Sequence, residues 1–303
     1  MAPVCVVSKN KKVSKQPVIK VVRILGGIGN QLFQVAFYYW LKKKFPQFDV
    51  YCDTHYFQSY GLHNGYLMPR VFQTNVREAP ISILKKVSAD EKSLLYRIRR
   101  KLNIRQPYFF EESEDIRFTY GKNWINNEHQ YLEGYWQCFD YLKEYPEIID
   151  HFQFEDFQDE KNIALKKQMA EHPSLSVHVR RGDYVKHPKY KDICTLEYYH
   201  QAIGYMLDHV PNCQIFVFSD DLPWCQENFK NYPCQFIDHN RGADSFKDMQ
   251  LMSLCQHHII ANSSFSWWGA FLSQHQGITI APKKWKNNME GTRQLIPPHW
   301  IQL

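Results

Sequence analysis

The chain has 303 residues, 44% hydrophobic and 22% charged, a soluble composition with length for one large or two ordinary domains. Its net charge of +6 suits an anionic ligand or an acidic surface without demanding nucleic acid. Eight irregularly spaced cysteines, none in a C-x-x-C pair, argue against a zinc or dithiol redox site and for free thiols in a reducing cytoplasm.

Residues 1–17 are polar and lysine-rich and read as a loose basic tail, with no apolar run long enough for export or for spanning a bilayer. A strand rich in Val and Ile is expected over 18–25. The turn Gly26-Gly27-Ile28-Gly29-Asn30-Gln31 comes next, then a helix over 32–45 that ends in Lys42-Lys43-Lys44 before Pro46. Lysines in a last turn complement the helix dipole, and proline stops the helix. Strand, glycine turn and helix open a nucleotide-type fold. The dinucleotide fingerprint is not met, because Leu32 stands where its third glycine belongs, although Asp53 comes after a strand at 50–52 as a ribose-binding acid would. The glycines also fit a plain tight turn that lets helix and strand pack closely.

Residues 56–81 are irregular. A basic helix is expected over 83–105, with Lys85, Lys86, Lys92, Arg97, Arg99, Arg100, Lys101 and Arg105 among Leu84, Val87, Leu94, Leu95, Ile98 and Leu102. Such a stretch suits peripheral contact with a membrane surface or an anionic acceptor, and equally a solvated helix face. A strand and turn at 131–137 carries Tyr131, Tyr135 and Trp136 beside Gln137, rings that suit a sugar or simple packing. A polar helix is expected within 156–174, with the domain boundary between 165 and 166.

Beyond it, strands and helices alternate, which implies a parallel sheet with helical faces. A strand over 175–179 runs into Arg180-Arg181-Gly182-Asp183-Tyr184. Ligands of open α/β sheets bind beyond the carboxyl ends of strands, and a guanidinium there can fork onto phosphate oxygens. Arg180 and Asp183 could also pair with each other and tie down the loop. Thr195 can cap a helix whose apolar face is Leu196, Tyr199, Ile203 and Met206. A strand at 214–218 ends in Ser219-Asp220-Asp221, carboxylates suited to base N–H groups or ribose hydroxyls. A short strand covers 235–237, and Asp244 or Ser245 opens a helix through 254. A strand at 258–261 ends in Asn262-Ser263-Ser264, where the helix Phe265-Ser266-Trp267-Trp268 begins and its free N–H groups face the same crevice. The last strand covers 278–281. Cation, carboxylates and helix N-terminus at one sheet edge suit a nucleoside diphosphate.

The blocks Gly26-Gly27-Ile28-Gly29-Asn30-Gln31-Leu32-Phe33-Gln34, His178-Val179-Arg180-Arg181-Gly182-Asp183-Tyr184 and Asn262-Ser263-Ser264-Phe265-Ser266-Trp267-Trp268 resemble the signatures of the bacterial-type alpha-1,2-fucosyltransferases, glycosyltransferase family 11. They occur in the family's order across residues 18 to about 285. The first two recur more loosely in alpha-1,6 and protein O-fucosyltransferases. The resemblance implies a GT-B fold: an acceptor-side Rossmann-like domain over 18–165 facing a donor-binding one over 166–303. It implies inverting, metal-independent transfer of fucose from GDP-fucose to a terminal galactoside such as lactose, with no cofactor.

By motif, Arg180 would hold the diphosphate, His178 would line the nucleotide site and Asp221 would meet guanine, with Asp220 beside it. Ser245, Asn262, Ser263, Ser264 and Phe265 would complete the donor site. Gly27, Gly29 and Asn30 would face the acceptor, with Tyr135 and Trp136 as sugar-facing rings. Arg180, Asn30 and Asp183 form the expected catalytic set; Asp183 and, outside the motifs, Glu133 are candidates for a general base, and positioning alone is the alternative. The animal relatives carry an N-terminal membrane anchor that this chain lacks, which points to a bacterial enzyme, soluble or peripheral at the inner membrane. The rival readings are another fucosyltransferase type and a non-catalytic GDP-sugar-binding module.

Overall fold

Val and Ile fill Val18–Arg23, which forms β1 at the heart of the first sheet, buried at every position after the first. The computed structural model describes residues 17–58, 64–112, 124–289 and 294–303. The basic tail expected over 1–17 lies outside them except for its last residue. β1 pairs in parallel with β2 (Phe48–Asp53), in register from Val18↔Phe48 to Arg23↔Asp53, and on its other side with β4 (Gln130–Glu133). β3 (Phe109–Glu111) completes the order β2-β1-β4-β3. Lys20 is tolerated inside β1 because its amine donates to the Asn126 and Glu128 carbonyls, both at 2.8 Å, and to Gln130 Oε1.

Helix α1 (Ile28–Lys44) buries twelve of its seventeen residues, as a helix packed on several sides must. It starts four residues earlier than expected. Gly27 holds the extended N-cap conformation, and Gly29 fits inside the first turn. The irregular stretch after β2 contains the short α2 (Met68–Phe72), which the sequence did not signal. The basic helix expected over 83–105 is instead two: α3 (Ile81–Lys86) and α4 (Leu94–Lys101). Ser88, at φ +57°, turns the chain between them, and the Ala89 N–H closes on the Leu84 carbonyl at 2.8 Å.

After α5 (Asp140–Glu144) the chain enters α6 (Glu160–Glu171), whose first turn is capped by Asp159. The boundary placed between 165 and 166 falls inside this continuous helix. Leu165 and Met169 of α6 pack with Phe216, Phe218 and Leu251, so the whole helix sits on the second sheet. That sheet is built from β5 (Ser174–Val179), β6 (Gln214–Ser219), β7 (Cys234–Ile237), β8 (His257–Ile259), β9 (Thr279–Ala281) and β10 (Ile301–Gln302). All pair in parallel, in the order β10-β9-β8-β5-β6-β7. Its crossover helices include α7 (Leu196–His209), α8 (Leu222–Asn228), α9 (Phe246–Leu254) and α10 (Ser264–Phe271). Thr195 caps α7, as expected, through Tyr198 N.

The halves share a core. Phe33 of α1 lies 4.6 Å from the Trp267 ring and 5.0 Å from that of Trp268, both on α10. The Trp267 indole donates to the Leu295 carbonyl at 2.9 Å. Trp285, Leu295, Ile296 and Trp300 belong to the same buried cluster as Val22 and Leu132 of the first sheet. The chain's end thus returns into the first half before adding β10 to the second.

Candidate active site

The first two residues after β5 carry the charge that the sequence aims at the crevice. Arg180 Nη2 lies 2.6 Å from Asp183 Oδ1, and its Nη1 lies 2.9 Å from Asp220 Oδ2. The Tyr184 ring packs against the guanidinium at 5.3 Å. The Arg180–Asp183 pair forms, and it fixes a guanidinium on a cavity wall with 32% of its side chain exposed. Gly182 permits the arrangement. A Cβ there would lie 2.6 Å from Asp220 Oδ2, the oxygen that holds Arg180. Asp220 Oδ1 also accepts from the Arg181 N–H at 2.9 Å.

The first turns of α1 and α10 meet at the same cavity. A Cβ on Gly29 would fall 2.5 Å from the Ser264 carbonyl carbon, so only glycine lets the two backbones touch. Asn30 Oδ1 accepts from Ser264 Oγ and from Gln137 Nε2, each at 2.9 Å. The Trp285 indole in turn donates to Gln137 Oε1 at 3.2 Å. Asn30 lines the cavity, with its amide nitrogen beside Gly26, where an added Cβ would lie 2.9 Å from it. Gly27 gives α1 no side-chain cap, which leaves first-turn N–H groups for a ligand.

These groups line a cavity of about 600 Å³ between the halves. Gly27, Gly29, Asn30 and Asn64 come from the first half, and His178, Arg180, Asp183, Asp220, Ser245, Ser263, Ser264 and Phe265 from the second. Asn64 Nδ2 donates across the cleft to the Gly242 carbonyl at 2.8 Å, and Arg70 reaches Asp244 at 3.2 Å. The His178 ring sits 5.6 Å from that of Phe265. Burial, helped by the Arg180 charge, lowers its pKa to about 3, so the imidazole is neutral at working pH. Its Nδ1 has no hydrogen-bond partner among the described residues.

Four residues placed in the site by sequence do not line this cavity. Asp221 caps α8, accepting from Trp224 N at 3.3 Å, and receives Arg181 Nε at 3.0 Å, so both of its oxygens are committed. Asn262 turns inward, donating to the Trp285 carbonyl at 3.1 Å. Trp136, 1% exposed and at φ +53°, is stacked 4.3 Å from Phe37 within the core. Tyr135 is held through its N–H to Glu112 Oε2 at 2.7 Å. The Trp136 ring is part of the core packing.

The sequence reading missed Asn64, Tyr184, Tyr190, Asp238, Asn240, Arg241 and Asp248, all on the cavity wall. Asp238 was findable, since it succeeds β7 as Asp220 succeeds β6. Asp248 lies on α9, and no local pattern marks it. Burial raises its carboxyl to about 7, against the opposing pull of Asn240, whose Nδ2 donates to Oδ1 at 2.9 Å. Glu133, the other base candidate, lies elsewhere. It pairs with Arg23 at 2.6 Å on the wall of a second cavity, about 720 Å³, beyond the carboxyl ends of β1, β3 and β4.

Two parallel sheets with helical faces, closed on a cleft lined by both, define a GT-B glycosyltransferase architecture. Residues 19–303 match the model of glycosyl transferase family 11, and the chain belongs to that family. It is 33% identical over 305 residues to an alpha-1,2-colitosyltransferase of Escherichia coli, covering 94% of this chain and 99% of that protein. The O-antigen biosynthesis glycosyltransferase WbnK of Escherichia coli is 31% identical over 307 residues, with 92% and 98% covered. The galactoside alpha-(1,2)-fucosyltransferase 2 of Pongo pygmaeus is 29% identical over 170 residues, with 52% and 49% covered. Among solved structures, selenomethionine fucosyltransferase NodZ from Bradyrhizobium superposes with a TM-score of 0.51 at 13% identity, covering 85% of this chain and 92% of that one, a likeness of fold. No described helix is long and apolar enough to cross a membrane.

Proposed function

We propose that the protein transfers L-fucose from GDP-fucose to the 2-hydroxyl of a terminal galactoside, with inversion and without a metal ion. The observation that carries this reading is the convergence of Arg180 and the first turns of α1 and α10 on one cavity between the halves. Two helix N-termini and a fixed guanidinium are the donors that a diphosphate needs. In this reading the leaving group's charge falls to these protein donors.

In this reading the bond from the fucosyl anomeric carbon to the diphosphate oxygen breaks, and its electron pair leaves with GDP. The galactoside oxygen attacks from the opposite face and loses its proton to a base. Arg180 meets the developing charge on the diphosphate, and Asn30 helps place the attacking hydroxyl. Of the two carboxylates considered as base, Asp183 lines the donor cavity and Glu133 does not. Asp183 is the one of the two that this reading keeps as a base candidate. The neutral His178 ring offers the donor a polar edge without a charge.

A second reading, colitosyl transfer, is favoured by the 33% identity to the colitosyltransferase. Colitose is the 3-deoxy counterpart of fucose, so the diphosphate chemistry is unchanged and only the sugar contacts differ. The test is GDP release from GDP-fucose and from GDP-colitose, with lactose as acceptor and EDTA present, the product being identified by mass and its linkage by NMR. Fucosylated lactose establishes the first reading, and colitosylated lactose alone the second. Tight GDP binding without turnover on any galactoside would leave only a binding module.

A further inference from the structure

The four most exposed large apolar side chains among the described residues lie on one segment. Leu94 and Leu95 are each 70% exposed, Leu102 63% and Ile104 52%, with Ile98 beside them at 43%. Surface leucines are ordinarily scattered singly, and a contiguous group of them marks an interaction site. At about 100° per residue, Leu94, Ile98, Leu102 and Leu95 span an arc of roughly 100° on α4 and its C-cap. Tyr96 lies on the opposite side, is buried, and anchors the helix through its carbonyl, which accepts from Gln106 Nε2 at 3.0 Å. The apolar stripe therefore faces outward, the reverse of an ordinary surface helix.

Charge identifies what covers the stripe. Arg99 borders it on one edge, and Arg97 and Lys101 border it on the other. Between residues 81 and 105, eight lysines and arginines stand against Asp90 and Glu91. That excess of six equals the net charge of the whole chain, so the rest of the molecule is balanced. Neither acid offsets the stripe: Asp90 is buried, and Glu91 is drawn to Arg23 at 3.3 Å. An outward apolar stripe between two cationic edges has the form of a helix lying in a bilayer interface.

We propose that α4 docks the protein on an anionic phospholipid surface. Leu94, Leu95, Ile98 and Leu102 enter the acyl boundary, and Arg97, Arg99 and Lys101 meet the lipid phosphates. The second cavity takes Tyr96 and Arg100 from the face of α4 away from the stripe, so docking leaves that cavity uncovered. None of this depends on which sugar is transferred.

The experiment is sedimentation of the full chain with phosphatidylglycerol–phosphatidylethanolamine vesicles and, separately, with pure phosphatidylcholine vesicles. The parent should bind the first and not the second. The Leu94→Ser, Leu95→Ser, Ile98→Ser triple variant should lose binding while keeping the parent's Tm. Removing Arg97, Arg99 and Lys101 as glutamines should weaken partitioning about fivefold per charge. Equal binding to both vesicles, or none to either, overturns the proposal. So does concentration-dependent self-association that the serine variant abolishes while vesicles are ignored, which would make the stripe a contact between copies.

Discussion

Replacing Arg180 by alanine separates its two roles. The guanidinium makes two charged contacts, at 2.6 Å to Asp183 and 2.9 Å to Asp220, with a third of its side chain open to the cavity. Exposed pairs of this kind contribute up to about 1 kcal/mol each, so the cost in stability should be small. The cost in catalysis should be larger. A lost donor to a developing oxyanion costs about 3 kcal/mol, and here two carboxylates are left facing the diphosphate without their counter-charge. The expected loss in kcat is therefore about a thousandfold, with Tm lowered by only a few degrees. Arg180→Lys retains the charge but not the fork, and should recover about a tenfold part of the loss. The assay is initial-rate GDP release with saturating donor and acceptor, alongside thermal unfolding. An alanine variant with kcat within threefold of the parent and a large fall in Tm would mean that Arg180 only ties the loop.

Gly29→Ala should be harmful through geometry alone. Its methyl would meet backbone atoms of Ser264 and Phe265 at 2.5–2.6 Å, and backbone cannot rotate away. Overpacking of about 3 kcal/mol is expected, seen as a lower Tm together with a raised donor KM. Asp183→Asn should lower kcat by about a hundredfold if it removes the general base, and an unchanged kcat would shift that role elsewhere. Acid should destabilise the fold through His178 and His258, whose pKa values burial lowers to about 3. A depressed pKa gives stability that is present above the unfolded value, about 6.5, and is lost as pH falls toward the folded value. Each histidine should contribute a slope of about 1.4 kcal/mol per pH unit there. Asp248 acts oppositely: its carboxyl is raised to about 7, so its contribution is present in acid and lost as pH rises to 7. Urea midpoints from pH 7 down to pH 5 should show the net of two histidine protons against one from Asp248, and His258→Gln should lower that slope by one proton's worth.

The legible parts of the sequence were those where local pattern and tertiary role coincide. Strands β1, β5 and β6 are almost wholly buried parallel strands, so they read as largely apolar runs, and β5 and β6 each give way to charged residues at the carboxyl edge. Arg180 and Asp220 were therefore placed by position. The cavity face of Asn30 came from family resemblance, because nothing local says that a helix from the other half would donate to it. Asp221 shows the limit of reading by position. It stands one residue beyond Asp220, yet its carboxylate caps α8, and only a fold can tell those two acids apart. Trp136 misled because an aromatic on a sugar and an aromatic in a core have the same composition. The two-residue β10 and the three-residue β3 were too short to carry a periodic signal.

The contact of α1 with α10, and the return of Trp285, Leu295 and Trp300 into the first half's core, bear on how such proteins diversify. Two sheets joined by a linker can be shuffled as cassettes, one partner exchanged for another. Here a recombination crossover between the halves would part Phe33 from Trp267 and Trp268, and Gly29 from Ser264. A hybrid gene would have to inherit both faces of that seam from one parent. New acceptor specificities in this lineage should then arise by change within loops around an inherited seam rather than by exchange of whole halves.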